Sequence, residues 1–184
     1  MARGDDILHH APIDQDDAYR DAAAAYGAAI ERLARGYEKD GDLARDLVQD
    51  IHAALWRSFA YFEGQCSVRS WVYRIAHNTA VSHVQAALRR KAETLVELDE
   101  IAGLPADADI AAELGERQAQ GRLLAIIHRL KPADRQVMLL YLEDLTATEI
   151  GEVTGLSAGA VATRISRLKT VLARHFASDE GDPA

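Results

Sequence analysis

Apolar residues recur at steps of three and four through most of this 184-residue chain, and no stretch alternates between apolar and polar residues as a half-buried β-strand does. In the first half these stripes cover residues 19–37, 47–62 and 71–84. In the second half they return at 123–130 and again from residue 137 onward. Because a stripe of this period places its apolar side chains on one side of a helix, the sequence predicts an all-α fold.

The stripes form two groups, separated by a stretch with Gly103, Pro105 and only weak periodicity. This pattern predicts two small helical domains joined by an acidic linker that holds at most a helical turn or two. The predicted segments are an N-terminal extension (1–17), a first domain (18–91), the linker (92–116), a second domain (117–177) and a disordered tail (178–184).

Capping residues and glycines suggest where the first helices begin and end. We expect the first helix to end near Gly41 and Asp42 to cap the second, because a short side-chain oxygen can accept the free N–H groups of a first turn. Gly64 interrupts the second helix, and either Ser67 or Ser70 is placed to cap the third.

Charge is segregated along the chain, although the total is −8. Residues 64–91 contain five basic residues and no acidic one, and residues 156–177 contain four and none. Between them, residues 92–118 carry eight acidic residues against Arg117 alone. The negative net charge opposes DNA binding by the free chain, since affinity for DNA comes largely from the neutralisation of phosphates by basic side chains. The two basic segments nevertheless indicate two anion-binding faces, the alternative being ordinary variation in surface charge.

Composition excludes several classes of protein and of site. A single cysteine, Cys66, excludes an internal disulfide and any multi-cysteine metal site. No apolar run approaches the roughly 20 residues needed to cross a bilayer, and the acidic N-terminus lacks the apolar core of a signal peptide, so we expect a cytoplasmic protein without membrane insertion. No nucleophile–base set, phosphate loop or metal-ligand spacing is visible, so we expect no catalytic residues, no metal and no cofactor.

The segment from 145 to 176 reads as a helix-turn-helix. Thr146-x-x-Glu149 is a capping box that starts a short helix, and Gly155 suits the positive φ of a helix exit. Ser157 can cap the next helix, whose outward residues are small or basic, including Arg164. Small residues at the start of such a helix let it approach base edges in the major groove. The alternative is a plain helical hairpin with a solvated basic face.

Residues 62–84 mix aromatic and basic side chains, as single-stranded nucleic-acid sites do. Tyr61, Trp71 and Tyr73 offer faces on which bases can stack. The competing interpretation is that such residues are core, and we favour it for Trp71 and Ile75, one helical turn apart.

Three segments, in this order, resemble the sigma factors of bacterial RNA polymerase, and most closely the extracytoplasmic-function group. DLVQDIHAALWRSFAYF (46–62) resembles the family helix that docks on the clamp helices of the polymerase β′ subunit. WVYRIAHNTA (71–80) is similar to the family signature W-L-Y-R-I-A-x-N-x-A, and LSAGAVATRISRLKTVL (156–172) resembles the family recognition helix. The resemblance implies core RNA polymerase (β′ clamp helices and β flap), promoter DNA and an anti-sigma factor as partners.

The resemblance also implies site residues. Those expected to bind the polymerase are Asp46, Gln49 and Asp50. Those expected at the minus-ten element are Gly64, Gln65, Cys66, Ser67, Arg74, Asn78, Arg89, Arg90 and Lys91, the loop and Asn78 forming the pocket for a flipped base. Those expected at the minus-thirty-five element are Ser157, Ala160, Thr163, Arg164 and Arg167. The linker would then thread toward the active-site cleft of the polymerase.

Two positions depart from the family pattern. Ala162 stands where a Lys or Arg often precedes the Thr-Arg pair, and Gln65-Cys66 stands where an acidic or small polar residue is common. Both leave the preferred promoter sequence open, and Cys66 is either inert or a redox sensor. The alternative function is a stand-alone helix-turn-helix regulator, and an enzyme is the weakest of the three hypotheses.

Overall fold

A computed structural model describes residues 14–95 and 114–179, and all seven elements in those ranges are helices, which confirms the all-α prediction. The helices are α1 (Gln15–Tyr37), α2 (Gly41–Phe59), α3 (Val68–Leu95), α4 (Leu114–Arg129), α5 (Pro132–Leu142), α6 (Ala147–Thr154) and α7 (Ala158–Asp179).

Helices α1, α2 and α3 pack together through the apolar stripes seen in the sequence. Ile30, Leu33, Leu47, Ile51 and Leu55 are at most 2% exposed. Each such side chain contributes about 1.5–3 kcal/mol by leaving water, so burial of these stripes favours the packing of the three helices. Trp71 and Ile75 pack against the same core, as predicted.

The caps of the first two helices differ from the sequence prediction. Asp14 caps α1, which begins at Gln15 and ends at Tyr37 rather than near Gly41. Asp40, not Asp42, caps α2, because its carboxylate accepts from the backbone N–H of Asp42 at 2.9 Å. The prediction for Asp42 is wrong: that residue already lies in the first turn.

One of the two candidate serines caps the third helix. This helix extends beyond the predicted first domain. Ser67 Oγ accepts from Ser70 N at 3.0 Å, which selects Ser67 as the cap. α3 continues to Leu95 and α4 starts at Leu114, so helix occupies both ends of the predicted linker. Residues 1–13, 96–113 and 180–184, with most of the linker, tail and N-terminal extension, lie outside the described residues.

The second half contains the predicted helix-turn-helix. Pro132 starts α5, as its fixed φ and missing N–H allow. Thr146 and Glu149 form the capping box of α6, and Gly155 ends that helix at φ 77°. Val161 and Leu168 on α7 are buried, so this helix packs back on the domain and leaves its opposite side in solvent.

The two halves also contact each other, which the sequence did not predict. α1 packs against α4 and α5, and α3 packs against α6, so that one apolar cluster runs through both. Gly36 on α1 is needed for this approach: a Cβ there would lie 2.3 Å from Cδ2 of Leu139 on α5.

Candidate nucleic-acid interface

The three residues predicted to bind the polymerase lie together on α2. Asp46, Gln49 and Asp50 are all exposed, and their three- and four-residue spacing places them on one side of the helix. Asp50 lies beside α3, with Oδ2 at 3.9 Å from Nδ1 of His83. The structure therefore brings these residues into one acidic surface.

An exposed tryptophan continues this surface at the other end of α2. Trp56 is 44% exposed and lies seven residues after Gln49, on the same side of the helix. It borders two open grooves of about 330 and 390 Å³, which it shares with Tyr19. Its Nε1 donates to Asp16 Oδ1 at 2.7 Å, so the ring is held in place although solvent reaches it. Trp56 lies outside the predicted set of Asp46, Gln49 and Asp50.

The loop between α2 and α3 is stabilised by one of the residues predicted to capture a base. Gln65 Nε2 donates to the Tyr61 carbonyl at 2.9 Å, and its Oε1 accepts from Glu63 N at 3.0 Å. Gly64 adopts φ 80°, the left-handed region that favours glycine. Cys66 is partly buried and has a free thiol. The amide of Gln65 thus fixes the shape of the loop.

The aromatic residues near this loop divide between surface and core. Tyr61 is 75% exposed, whereas Tyr73 is 3% exposed, so the interpretation of Tyr73 as a stacking face is wrong. Burial raises the pKa of Tyr73 above its usual range. Trp71 is partly buried against Phe62 and donates from Nε1 to Ser58 Oγ at 3.0 Å. Of Tyr61, Trp71 and Tyr73, only Tyr61 is exposed, so its ring is the one on which a base could stack.

The predicted minus-ten residues of α3 have different surroundings. Asn78 and Arg89 are exposed, whereas Arg74 is partly buried and donates from Nη2 to the Glu152 carbonyl of α6 at 3.2 Å. Arg90 and Lys91 lie on α3, but their side chains are outside the described set. The structure thus places one predicted DNA contact against the other half of the molecule.

A buried pair anchors α3 directly behind Asn78. The Tyr37 hydroxyl lies 2.5 Å from His77 Nδ1, and both residues are under 9% exposed. Burial lowers the pKa of His77 to about 4 and raises that of Tyr37 above its usual range. At neutral pH both groups are therefore neutral, and the hydrogen bond between them joins α3 to α1.

The predicted minus-thirty-five residues lie at the start of α7. Ser157 Oγ accepts from Ala160 N at 3.2 Å and caps the helix, as predicted. Ala160 and Thr163 are exposed one turn apart, and Arg167 follows on the same side. These three side chains leave this side of α7 open to solvent.

An aspartate that the sequence analysis missed holds both arginines of this surface. Asp134, in the first turn of α5, lies 3.4 Å from Arg164 Nε and accepts from Arg167 Nη2 at 3.1 and 3.2 Å. The aspartate side chain is 16% exposed. One carboxylate therefore sets the position of two guanidinium groups that are spaced one turn apart.

Glu143, after the last turn of α5, occupies a site formed by the first half of the chain. Arg32 on α1 donates to its two carboxylate oxygens at 2.8 and 2.6 Å, and the Tyr73 hydroxyl donates at 3.3 Å. Arg69 donates to its backbone carbonyl at 2.5 Å. The carboxylate is 9% exposed, and its hydrogen bond raises the pKa of Arg32. We call Arg32, Arg69 and Tyr73 with Glu143 the Glu143 site.

Further polar contacts join α3 to α6 beside the Glu143 site. Ser67 Oγ donates to Ser70 Oγ at 3.1 Å, and Ser70 Oγ donates to Glu152 Oε2 at 2.9 Å. Arg69 lies 4.0 Å from Glu149, whose pKa is held below its usual range by hydrogen bonds from Thr146. No local sequence signal points to the Ser70–Glu152 and Arg69–Glu149 pairs, which join residues 82 and 80 positions apart.

Within the ranges 14–95 and 114–179, the structure shows no cluster of three or more His, Cys, Asp or Glu side chains suited to a metal ion. The helices described there are also too short or too polar to cross a membrane.

Two family models match the chain in succession. Residues 22–91 match Sigma-70 region 2, and residues 120–172 match Sigma-70, region 4. The first match covers α1, α2 and most of α3, and the second covers the helix-turn-helix.

Several curated relatives named as sigma factors align with at least 77% of this chain. The chain is 28% identical over 165 residues to the ECF RNA polymerase sigma factor SigG of Mycobacterium tuberculosis, an alignment of 77% of this chain and 45% of SigG. It therefore spans less than half the length of that relative. It is 25% identical to ECF RNA polymerase sigma factor SigW of Bacillus subtilis (87% and 89% covered) and 28% identical to RNA polymerase sigma factor CnrH of Cupriavidus metallidurans (88% of each).

Two solved structures share the fold. CnrH in complex with the cytosolic domain of CnrY superposes with a TM-score of 0.65 at 24% identity, over 89% of this chain and 90% of that one. The sigma factor RpoE in complex with the anti-sigma factor NepR from Bartonella quintana gives 0.60 at 19% identity, over 83% and 92%.

Proposed function

This chain belongs to the extracytoplasmic-function sigma factors, and we propose that it binds core RNA polymerase and directs it to specific promoters. The observation that carries the proposal is the pairing of an exposed acidic face on α2 with an exposed recognition helix, α7, in one chain. Such a protein acts by binding rather than by catalysis. Promoter melting then needs no chemistry, because contacts with a flipped base offset the few kcal/mol that unstacking costs.

The acidic face of α2 is our proposed polymerase-binding surface. Asp46, Gln49 and Asp50 would contact the clamp helices of the β′ subunit, and Trp56 extends the same side of the helix. The second domain would contact the β flap. A rim of exposed charges around an exposed aromatic residue is a common composition for a protein–protein interface.

The loop before α3 and the exposed side of α3 form the proposed minus-ten site. Gly64, Gln65, Cys66 and Ser67 would form, with Asn78, the walls of a pocket for one flipped base, with Tyr61 exposed at its rim. The proposed contacts to the phosphate backbone are Arg74, Arg89, Arg90 and Lys91.

The start of α7 is the proposed minus-thirty-five site. Ser157, Ala160 and Thr163 would approach base edges, and Arg164 and Arg167 would bind phosphate or guanine. The absence of a basic side chain at Ala162 removes one such contact, so we expect promoter affinity to depend less on the minus-thirty-five sequence.

An anti-sigma factor is the third proposed partner. RpoE, one of the two solved structures that share this fold, is held by the anti-sigma factor NepR. A partner of this kind would cover surfaces that the polymerase needs.

Replacement of both aspartates on α2 tests the proposal. We expect Asp46→Ala/Asp50→Ala to lose co-elution with core polymerase and run-off transcription while keeping its helical circular dichroism. The control is Asp17→Ala/Asp21→Ala, which changes the charge equally on exposed positions of α1. Wild-type polymerase affinity in the α2 variant would contradict the docking assignment. Tight sequence-specific DNA binding by the free protein, without effect on core enzyme, would favour a stand-alone regulator instead.

A further inference from the structure

A histidine of α3 lies between two carboxylates at the edge of the proposed polymerase-binding surface. The His83 side chain is 11% exposed, and one ring nitrogen faces each carboxylate. Glu38 Oε2, just after α1, lies 3.8 Å from Nε2, and Asp50 Oδ2 on α2 lies 3.9 Å from Nδ1. Both distances are too long for a hydrogen bond, and no partner among the described residues satisfies the buried Nε2. The ring therefore lies close to two negative charges without bonding to either.

The two carboxylates differ in their freedom to move. Glu38 Oε1 accepts from the backbone N–H groups of Lys39 and Asp40 at 2.8 and 3.1 Å, and the Glu38 side chain is 18% exposed. These bonds fix its carboxylate at the junction of α1 and α2. The Asp50 side chain, by contrast, is 65% exposed. A positive charge on the ring would therefore attract Asp50 toward α3 and leave Glu38 where it is.

The other ionisable groups around the ring do not change charge near neutral pH. On α3, residues 79–87 contain no charged residue besides this histidine. Beyond Glu38 lies His128 of α4, which is close enough to Glu38 and Lys39 to be affected by their charges. Burial lowers the pKa of His128, and it lowers the pKa of His77, six positions earlier on α3, to about 4. Both of these rings are therefore neutral at pH 7.

We propose that His83 is a positioning residue for Asp50, and that protonation of its ring weakens the binding of core polymerase. The inference rests on the proposed function, in which Asp50 contacts the polymerase, and adds how that contact is regulated. Histidine side chains commonly gain a proton between pH 8 and pH 5. A neutral ring leaves the aspartate available to a basic side chain of the polymerase. A protonated ring attracts the same carboxylate and offsets part of its charge.

The direction of the pH dependence follows from competition for one carboxylate. The proton on His83 and a basic side chain of the polymerase both interact favourably with Asp50, so each weakens the binding of the other. Affinity for the polymerase is therefore highest when the ring is neutral and falls as the pH is lowered. Because Asp50 is largely exposed, water screens the pair, and we expect an effect of about two- to five-fold rather than a complete loss.

The affinity of the full chain for core polymerase at pH 6 and at pH 8 tests the proposal. Titration calorimetry gives the dissociation constant at each pH, and the ratio of the two is compared between wild type and His83→Gln, which cannot gain the proton. Titrating groups of the polymerase act on both proteins alike and cancel in this comparison. We expect acidification to weaken wild-type binding about two- to five-fold more than it weakens the binding of His83→Gln.

A second variant reports on the same coupling without altering the packed ring. Asp50→Asn keeps the histidine and removes the charge from an exposed position. It should bind more weakly at both pH values, and its pH ratio should equal that of His83→Gln. The control is His52→Gln, on a partly exposed histidine of α2 whose Nδ1 lies 3.1 Å from the Tyr19 hydroxyl, and it should keep the wild-type ratio.

The ratio separates regulation from a merely structural role. If His83 only packed the helices, His83→Gln would change affinity at both pH values alike, and a wild-type ratio in this variant would overturn the proposal. A wild-type ratio in Asp50→Asn would overturn it as well, and this variant decides alone if circular dichroism shows that His83→Gln is unfolded. Absence of polymerase binding by the wild type at both pH values would overturn the proposed function itself, whereas pH-independent binding would overturn only the role of His83.

Discussion

At the scale of single residues, the buried Tyr37–His77 pair ties stability to pH. His77 is neutral in the fold because burial lowers its pKa from 6.5 to about 4. The unfolded chain binds this proton more readily, so protonation favours unfolding. The contribution of neutral His77 to the free energy of unfolding is therefore complete above pH 6.5 and is lost as pH falls toward 4. We expect the free energy of unfolding to fall by about 2 kcal/mol between pH 7 and pH 5 from this group alone.

Urea unfolding at several pH values measures this dependence. His77→Gln removes the titrating group and should flatten the curve between pH 7 and pH 5, whatever its effect at pH 7. The control is His52→Gln, on a partly exposed histidine that contacts Tyr19. An equally steep loss of stability in His77→Gln would show that other groups cause it.

Asp134 is the residue through which α5 positions the arginines of the recognition helix. In Asp134→Asn, Arg164 and Arg167 lose the charge that orders them. Immobilising the two flexible side chains on DNA then costs about 1–3 kcal/mol in all, so we expect the holoenzyme's preference for its own minus-thirty-five sequence to fall at least about five-fold. Non-specific affinity should not decrease, because a negative charge has been removed.

Competition binding of specific and scrambled promoter fragments gives this ratio. Asp144→Asn is the matched control, since Asp144 is exposed in the same domain and asparagine tolerates its φ of 58°. A parallel fall of specific and non-specific binding would indicate unfolding rather than lost positioning.

Some of these side-chain contacts are predictable from the sequence and others are not. The Thr146–Glu149 box was predictable because both partners lie within one turn. Asp134 and Glu143 were not, because their partners are 33 and 111 positions away and only the packing of helices brings them together.

At the scale of elements, α6 depends on its ends. A helix of eight residues is too short to be stable on its own, so the capping box at its start and the left-handed Gly155 at its end stabilise it. Thr146→Ala removes the hydroxyl that accepts from Glu149 N, and we expect a loss of about 1 kcal/mol in the free energy of unfolding of the second domain.

Thermal or urea unfolding measures this loss. Thr170→Ala is the control, because Thr170 is exposed in the middle of α7 and caps nothing. Since α6 is also the helix that packs on α3, the Thr146 variant should loosen the domain contact as well. Identical stabilities of the two variants would show that the box contributes little.

The order of the helices along the chain was predictable because their apolar stripes are local. Their ends were less so: Asp40 and Asp42 are equally suitable caps by residue type, and only the backbone geometry, extended at Asp40, separates them. α3 extends into the predicted linker to Leu95 although acidic residues begin at Glu93.

At the scale of the molecule, an excess of acidic charge opposes DNA binding. The net charge of −8 repels DNA, and Glu143 pairs with Arg32 and accepts from Arg69 through its backbone carbonyl. The sequence predicted two basic faces and an acidic spacer, and it identified the family. It did not predict that the halves pack together, since that depends on Gly36 meeting Leu139 across 103 positions.

Weak DNA binding by the free chain follows from this excess of acidic charge. We expect the affinity of the isolated protein for promoter fragments to be at least a hundred-fold below that of the holoenzyme at 0.15 M salt, and to differ little between specific and scrambled sequences. Fluorescence anisotropy over a salt series measures both. Strong, sequence-specific binding by the free protein would contradict this expectation and favour a stand-alone regulator.

The central claim is that this chain gives core RNA polymerase its promoter specificity. The most direct measurement is transcription by core enzyme from a fragmented genomic library, with and without the protein, followed by sequencing of the RNA 5′ ends. We predict a set of start sites that appears only with the protein and shares two sequence elements, near 10 and 35 base pairs upstream. The same start sites in both reactions, or none that share such elements, would contradict the claim.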